Sequence, residues 1–284
     1  MTTSISNGAT TATIHHKGAE LISLESYGRE YIWEGRPDFW GKHSPVLFPI
    51  VGTLKNNTYT FNGNEYCMSR HGFARDMVFS LEQKTETVAV FLLQHDENTL
   101  KIYPFEFAFR IIYTISENQL EIAYRVSNLG NGTQYFSLGA HPAFALPEAF
   151  GKYTLEINVV EPLLTNLLEN DLLSDTTVSI GLTDGKLALD YTLFEKDALI
   201  FRDAAFHSVT ILENQKPLLK VDFEDFPDLG LWTKINAPFL CIEPWFGYSD
   251  VVDTNQKFEE KHGIILLKPT ENFNAKFKIT LCNA

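Results

Sequence analysis

Cysteine is scarce in this chain of 284 residues, which has three: Cys67, Cys241 and Cys282. They lie far apart in the sequence, and none belongs to a CxxC pair. Without such pairs, the sequence predicts neither a zinc ribbon nor a redox dithiol. The odd number and the apolar neighbours favour reduced, buried thiols, as in a cytoplasmic protein.

Long apolar runs and an excess of positive charge are also lacking. No window approaches about 18 continuous apolar residues, so no transmembrane helix is expected. The first residues, MTTSISNGATTATIHHKG, are polar and lack the apolar core of a signal peptide. The net charge is −13 and the pI is about 5.0, which disfavours nucleic acid and anionic membranes as partners. A local basic pocket for one small phosphate remains compatible with this charge.

The motifs of several enzyme classes are missing. There is no HxH or HExxH metal motif, no GxSxG nucleophile motif, and no GxGxxG or Walker sequence for a nucleotide. Cys241 lies inside an apolar run, which argues against a cysteine nucleophile. The sequence therefore predicts no cofactor and no metal. A metal triad of two histidines and one glutamate remains the weaker alternative.

Most of the chain has the pattern of short β-strands. Apolar stretches separated by turn signals every 8 to 12 residues or so predict an all-β protein, a large antiparallel β-sandwich or barrel. Asn62-Gly63 predicts the turn of a hairpin over 56–66. Two prolines mark 44–52 as an irregular or edge segment. Only 162–173 and 255–260 are interpreted as helical. No linker or repeat interrupts the chain, so a single domain over 1–284 is expected.

The segment 237–250, APFLCIEPWFGYSD, carries one carboxylate, Glu243, at the end of an apolar run. Pro244 cannot donate to a sheet ladder, so regular pairing is expected to stop there. Burial beside Trp245 and Phe246 raises the pKa of a carboxylate toward the range of a general base. The alternatives are a Glu243 paired with an arginine or lysine, or one that points to solvent.

Two further segments carry histidines. In 69–76, SRHGFARD, a glycine follows His71 and lets backbone or ligand come close, and Arg75 offers a forked donor. The alternative is a surface turn with an Arg75–Asp76 ion pair. In 137–144, SLGAHPAF, small residues precede His141, a side chain suited to acid–base chemistry near neutral pH. The alternative for His141 is a core histidine bonded to a backbone carbonyl.

SRHGFARD, SLGAHPAF and FLCIEPWFG, in this order, resemble the aldose 1-epimerase (galactose mutarotase-like) superfamily. The similarity is greatest to the LacX-type branch, beside the glucose-6-phosphate 1-epimerase-like branch. SPVLFPIVG (44–52) and LGLWTK (229–234) match the same branch, so the resemblance spans essentially the whole chain. It implies one β-supersandwich domain and an isomerase that interconverts the α and β anomers of an aldose.

The resemblance also implies roles for individual residues. Glu243 would be the general base and His141 the general acid, while His71 would hold the sugar and Asp197 would contact a sugar hydroxyl. Arg75 is the main cation expected near the sugar. The partner is then a small sugar, bound by a monomer or homodimer, and no cofactor is required. Aromatic residues near the site, Trp232, Trp245 and Phe246, are expected to stack on a pyranose.

One position departs from the pattern. Many relatives carry arginine directly after the glycine of FPIxG, where this chain has Thr53, with Lys55 two residues later. The departure keeps three other functions open: a carbohydrate-binding or regulatory protein without turnover, a hexose-6-phosphate 1-epimerase, and a glycan lyase with the same sandwich.

Overall fold

The computed structural model of the chain describes residues 1–157, 159 and 162–282, and strands dominate it. In chain order the strands are β1 (Thr2–Ser6), β2 (Thr10–His15), β3 (Glu20–Ser26), β4 (Arg29–Glu30), β5 (Val46–Leu47), β6 (Thr58–Phe61), β7 (Asn64–Cys67), β8 (Ser80–Lys84), β9 (Val88–Gln94), β10 (Phe107–Ser116), β11 (Gln119–Asn128), β12 (Gln134–Phe136), β13 (Leu138–Ala140), β14 (Ala143–Ala145), β15 (Tyr153–Glu156), β16 (Leu163–Glu169), β17 (Leu172–Ile180), β18 (Lys186–Ala188), β19 (Leu199–Phe201), β20 (Ser208–Glu213), β21 (Lys216–Asp222), β22 (Asp228–Trp232), β23 (Phe239–Phe246), β24 (Ile265–Leu267) and β25 (Asn272–Leu281).

Helical structure is short. The α-helix α1 (Glu97–Ile102) begins at Asp96, whose side chain accepts hydrogen bonds from the amides of Asn98 and Thr99. This helix was not expected from the sequence. The remaining helical segments are 3₁₀ turns at Lys55–Asn57, Ala74–Asp76, Phe150–Lys152, Tyr191–Phe194 and Phe258–Glu260.

The helix predicted over 162–173 is wrong, because this segment forms β16 and the start of β17. Asn170 and Asp171 both have positive φ, 51° and 65°, and they join the two strands between the paired residues Glu169 and Leu172. Such a two-residue turn matches the twist of a hairpin and cannot continue a helix. The helix predicted over 255–260 is reduced to the 3₁₀ turn Phe258–Glu260.

Two large antiparallel sheets confirm the predicted β-sandwich architecture. One has nine strands in the order β18-β15-β20-β21-β25-β11-β10-β9-β8. The other has eight, in the order β17-β16-β19-β22-β23-β13-β5, with β14 paired to β23. The two sheets share one apolar core, in which Phe246 of β23 meets Phe273 of β25 edge to face at 5.0 Å between ring centroids. β5, from the proline-containing segment 44–52, lies at the sheet edge as expected.

β23 does not stop at Pro244, so that prediction is wrong. The strand continues to Phe246, with Pro244 opposite Leu229 and Trp245 opposite Asp228 of β22. The amide of Ile242 donates to the carbonyl of Pro142 on the other flank of β23. Since residues two apart direct their amides to the same flank, the nitrogen of Pro244 faces the gap between β13 and β14. No ladder hydrogen bond is lost there.

The predicted hairpin over 56–66 is present, but a cysteine at the end of its second strand is exposed. The hairpin β6–β7 forms around Asn62-Gly63, as predicted, with both residues at positive φ. All three cysteines are free, but Cys67 is exposed because β7 pairs with β6 alone in a two-stranded ribbon. The expected burial of that thiol is therefore wrong. Within the described residues, no helix has the length and apolar character needed to cross a membrane.

Candidate active site

Six residues that the sequence analysis selected line one pocket of about 300 Å³: His71, Arg75, His141, Asp197, Trp232 and Glu243. They come from segments that are distant in the chain and meet over the middle of the eight-stranded sheet. A pocket of this size lies at the lower end of the range that binds small molecules.

Glu243 and His141 lie side by side at the base of this pocket. The Nε2 atom of His141 is 3.3 Å from Oε2 of Glu243, and the two residues are 8% and 1% exposed. Glu243 lies in β23. His141 lies in the break between β13 and β14, which both pair with β23. The alternatives for Glu243, which were pairing with an arginine or lysine or exposure to solvent, are not observed among the described residues.

Two glycines make room for the indole ring of Trp245 beside this pair. A Cβ atom on Gly139 would lie 2.7 Å from Trp245 Cδ1, and one on Gly230 would lie 2.5 Å from its Cη2 and Cζ2. Gly230 also lies opposite Glu243 in the β22–β23 register. Gly139, one of the small residues noted before His141, therefore leaves space for the indole ring of Trp245 from the adjacent strand.

Burial shifts the two titratable groups in opposite directions. It raises the pKa of Glu243 well above its ordinary value and lowers the pKa of His141 to about 3. The rise at Glu243 agrees with the sequence analysis. Loss of solvent disfavours the charged forms of both groups, so between these two pKa values the pair holds one proton, on the carboxyl group.

His71 is fixed by backbone contacts. Its amide donates to the carbonyl of Gly52 at 2.8 Å, and the amide of Gly52 donates to its Nδ1 at 3.1 Å. The neighbouring Gly72 has φ of 72°, and a Cβ there would lie 2.3 Å from the carbonyl oxygen of Phe48. The glycine therefore allows the close backbone approach that the sequence suggested.

Arg75 combines features of both interpretations of its segment. Its Nη2 donates to the carbonyl of Arg70 at 2.7 Å, and its Nε lies 3.7 Å from Oδ2 of Asp76. The ion pair of the surface-turn alternative is thus present, while Arg75 also lines the pocket. Asp197, at φ 89°, accepts a hydrogen bond from the amide of Ala198, and Trp232 meets the His141 ring edge to face at 5.8 Å.

Trp40 is a pocket residue that the sequence analysis missed. Its indole stacks on the imidazole of His141, with 4.8 Å between centroids and 24° between planes. The indole nitrogen of Trp33 donates to the carbonyl of Trp40 at 2.8 Å and holds its loop. The signal was the aromatic loop RPDFWG (36–41), but nothing in the sequence linked it to a histidine 101 positions later.

Lys55 does not take the place of the arginine that is absent at Thr53. Its Nζ donates to the carbonyl of Val252 at 2.7 Å, and Lys55 is not a lining residue of the pocket. The amide of Thr53 donates to the hydroxyl of Ser249. Arg70 and Arg75 are the cationic lining residues.

Several buried polar atoms of the pocket lack hydrogen-bond partners. Within the part of the chain that the structure describes, none is found for Nδ1 of His141, Oε2 of Glu243 or Nε1 of Trp245. Buried polar atoms are rarely left unpaired in proteins. His141, Glu243 and Trp245, which carry these atoms, all line the pocket.

Cys241 joins His141 and Glu243 in a group whose potential metal-ligand atoms lie within 4.8 Å of one another. A metal requires a deprotonated thiol and carboxylate. Burial raises the pKa of both Cys241 and Glu243, so metal binding at this cluster would have to displace two protons.

Comparison with known proteins identifies the family. The sequence profile described as aldose 1-epimerase matches residues 1–280. The chain belongs to the aldose 1-epimerase family. Its sequence is 32% identical over 303 aligned positions to the plasmid-encoded protein LacX of Lactococcus lactis subsp. lactis, with 100% of both chains covered. The resemblance drawn from the motifs, including its LacX-type branch, is confirmed.

Two solved structures support the same assignment of this epimerase-family chain. A galactose mutarotase related enzyme from Lactobacillus acidophilus is 34% identical, with a TM-score of 0.93 over 100% of this chain and 98% of that one. A galactose mutarotase-like protein from Lactobacillus casei is 28% identical, with a TM-score of 0.93 over 99% and 100%. The galactose mutarotase-like fold is confirmed, and the family supports an isomerase with sugar epimerase activity.

Proposed function

We propose that the protein is an aldose 1-epimerase that interconverts the α and β anomers of a hexose or related sugar without a cofactor. The observation that carries this proposal is the 3.3 Å contact between Nε2 of His141 and Oε2 of Glu243 in a buried pocket. Mutarotation exchanges protons at the C1 hydroxyl and the ring oxygen, which are bonded to the same carbon. An acid and a base in contact match that requirement.

In the proposed reaction, Glu243 removes the proton of the C1 hydroxyl and His141 donates a proton to the ring oxygen. The C1–oxygen bond of the ring breaks, the C1–C2 bond rotates, and the ring closes on the other face of C1. Closure reverses both proton transfers. Acid and base groups positioned in this way each accelerate a reaction by about 10²–10⁴-fold.

The number of protons on the pair is the same before and after ring opening. The closed sugar requires a carboxylate at Glu243 and an imidazolium at His141, and the open sugar leaves a carboxyl group and a neutral imidazole. Burial favours the second arrangement in the free protein. Transfer of the proton from Glu243 to His141 when a closed sugar binds generates the first arrangement.

The rest of the pocket suits a pyranose. His71 presents Nε2 toward the pocket side where Arg70 lies, and Asp197 offers a carboxylate that can accept from a hydroxyl group. Trp40 and Trp232 supply aromatic faces for the apolar side of the ring. We also infer that the chain forms one domain, because both large sheets contribute to one core.

The experiment is exchange NMR or polarimetry on freshly dissolved anomers of galactose and glucose. Galactose comes first because the similar solved structures are described as galactose mutarotase related or mutarotase-like. Wild-type protein should accelerate anomer exchange, and Glu243→Gln should lose most of the rate while keeping its circular dichroism spectrum. Wild-type protein that accelerates exchange of no sugar or sugar phosphate would refute the proposal.

A hexose 6-phosphate is the second candidate substrate. The observation that favours it is the pair of arginines, Arg70 and Arg75, on one side of the pocket. The same exchange measurement on the anomers of glucose 6-phosphate distinguishes it from a neutral hexose. Calorimetric sugar binding without any acceleration would instead indicate a carbohydrate-binding protein.

A further inference from the structure

Two N–H donors face each other at the edge of the pocket, on Arg70 and His71. A backbone amide can only donate, so the hydrogen bond from Gly52 requires a lone pair on Nδ1 of His71. Burial, with the neighbouring His141 and arginines, holds the pKa of His71 well below its ordinary value, so the ring is neutral. Its one proton is therefore on Nε2, and Nε of Arg70 lies 3.2 Å from that atom.

This contact leaves two donors without an acceptor. An arginine Nε always carries a hydrogen, so it cannot bond to a protonated Nε2. The geometry is instead that of two donors directed at a common oxygen that would lie between or beside them. A sugar bound in the pocket brings such oxygens.

Arg70 is held at the rim by a second contact. Its Nη1 lies 3.3 Å from Oδ1 of Asp171, which belongs to the turn between β16 and β17. The side chains of Arg70 and Asp171 are 43% and 56% exposed, so the pair can separate at little cost. Leu168, from the strand before this turn, lines the pocket. The turn thus places a carboxylate where it aligns the guanidinium group with the pocket mouth.

We propose that Arg70 is a substrate-binding residue, which leaves its contact with His71 when a sugar oxygen accepts hydrogen bonds from both side chains, and that Asp171 positions it. This inference rests on the proposed sugar-binding function of the same pocket. The acceptor is an oxygen of a hydroxyl group or of a phosphate substituent, since a guanidinium group donates to either.

The test measures kcat and KM by exchange NMR for Arg70→Gln, Arg70→Lys and Asp171→Asn, with hexose and hexose 6-phosphate anomers as alternative substrates. Arg70→Gln should raise KM by about ten- to a hundredfold, the loss typical of a hydrogen bond from a charged group, with kcat within about threefold of wild type. Arg70→Lys should recover part of the loss, and Asp171→Asn should show a smaller rise in KM. A larger loss for the phosphate identifies a phosphate acceptor, and a loss confined to the hexose identifies a hydroxyl.

Arg110→Gln is the matched control. Arg110 forms two hydrogen bonds to Glu82 at 2.7 and 2.8 Å on the nine-stranded sheet, outside the pocket, so its loss should leave KM unchanged. Thermal unfolding should show that Arg70→Gln keeps the folded state, because the residue is partly exposed and faces a donor.

An unchanged KM in Arg70→Gln would overturn the inference, as would a fall in kcat with KM constant, which would indicate that Arg70 only orients His71. Calorimetric binding of the same sugars separates this result from failure of the proposed function. If wild type binds sugar without turnover, the Kd of Arg70→Gln replaces KM in the test. If wild type neither binds nor converts any sugar, both proposals are refuted.

Discussion

The indole of Trp40 covers one face of the His141 imidazole, 4.8 Å away and inclined by 24°. Trp232 lies beside this stack, and its ring meets those of both His141 and Trp40 edge to face. An aromatic face attracts a cation by about 0.5–2 kcal/mol, depending on solvent exposure. Trp40 therefore both fixes the plane of the imidazole and stabilises the imidazolium that the proposed reaction requires.

Replacing Trp40 tests this role. Trp40→Leu should lower kcat about tenfold, within the range that loss of a cation–π contact allows. Trp40→Phe should retain more of the rate, because a smaller aromatic face remains. Exchange NMR provides the rates and circular dichroism monitors the fold. Equal kcat values for Trp40→Leu and wild type would show that the stack does not contribute to proton transfer.

The pH dependence of kcat/KM is expected to follow the single proton that His141 and Glu243 share. A second proton binds as pH falls toward the His141 pKa of about 3, and the shared proton is lost above the raised pKa of Glu243. We expect kcat/KM to be bell-shaped, with both limbs reporting the coupled pair. A wide plateau should separate the limbs. An acid limb at the ordinary histidine value of 6.5 would contradict this picture.

Infrared spectroscopy locates the proton directly. At neutral pH the free wild-type protein should show the carbonyl stretching band of a protonated, buried carboxyl group. The band should disappear in Glu243→Gln and remain in Asp171→Asn, whose carboxyl group is exposed in the wild type. Absence of a Glu243-dependent band would indicate that the proton rests on His141, as an imidazolium.

Glu243→Gln should stabilise the fold at high pH. The folded protein retains a proton on Glu243 that the unfolded chain releases above its ordinary value of 4.5, so this group makes stability fall as pH rises from there to the raised pKa. The loss approaches ~1.4 kcal/mol per pH unit. The Tm of Glu243→Gln relative to that of wild type should therefore increase as pH rises from 4.5 toward the raised pKa of Glu243. A pH-independent difference would show that Glu243 is ionised in the folded state.

Gly230→Ala should disturb the site through Trp245. The added methyl group would lie 2.5 Å from the indole ring, so the ring or strand must shift, at a cost of about 1–3 kcal/mol. The free energy of unfolding measured in urea and the rate of anomer exchange should both decrease. Gly132→Ala is the control, because a Cβ there meets no atom within 4 Å. Similar effects of the two substitutions would contradict the steric explanation.

The sequence predicted the parts of the site that lie within short segments. Glu243 and His141 each stand where an apolar strand pattern meets a proline, so local pattern was enough to select them. Family resemblance then supplied their roles. Their 3.3 Å contact depends on the pairing of β13 and β14 with β23, which only the whole sheet specifies.

The features that the sequence analysis missed depend on long-range contacts. Trp40 acquires its role from a histidine in the break between β13 and β14, and no spacing rule connects the two. The segment 162–173 has enough leucine to resemble a helix, but the Asn170-Asp171 turn and pairing with β19 make it a strand. Tertiary pairing overrides local propensity in such edge segments.

Pro244 has a consequence for the integrity of the sheet. The gap between β13 and β14 leaves one flank of β23 without a paired strand at Glu243 and Pro244, which amounts to an edge inside the sheet. An exposed edge normally invites another strand to pair with it. Because Pro244 presents no N–H group to the gap, an incoming strand would lack a donor at the position where His141 enters. The proline thereby protects the opening that lets the side chain of His141 reach the centre of the sheet.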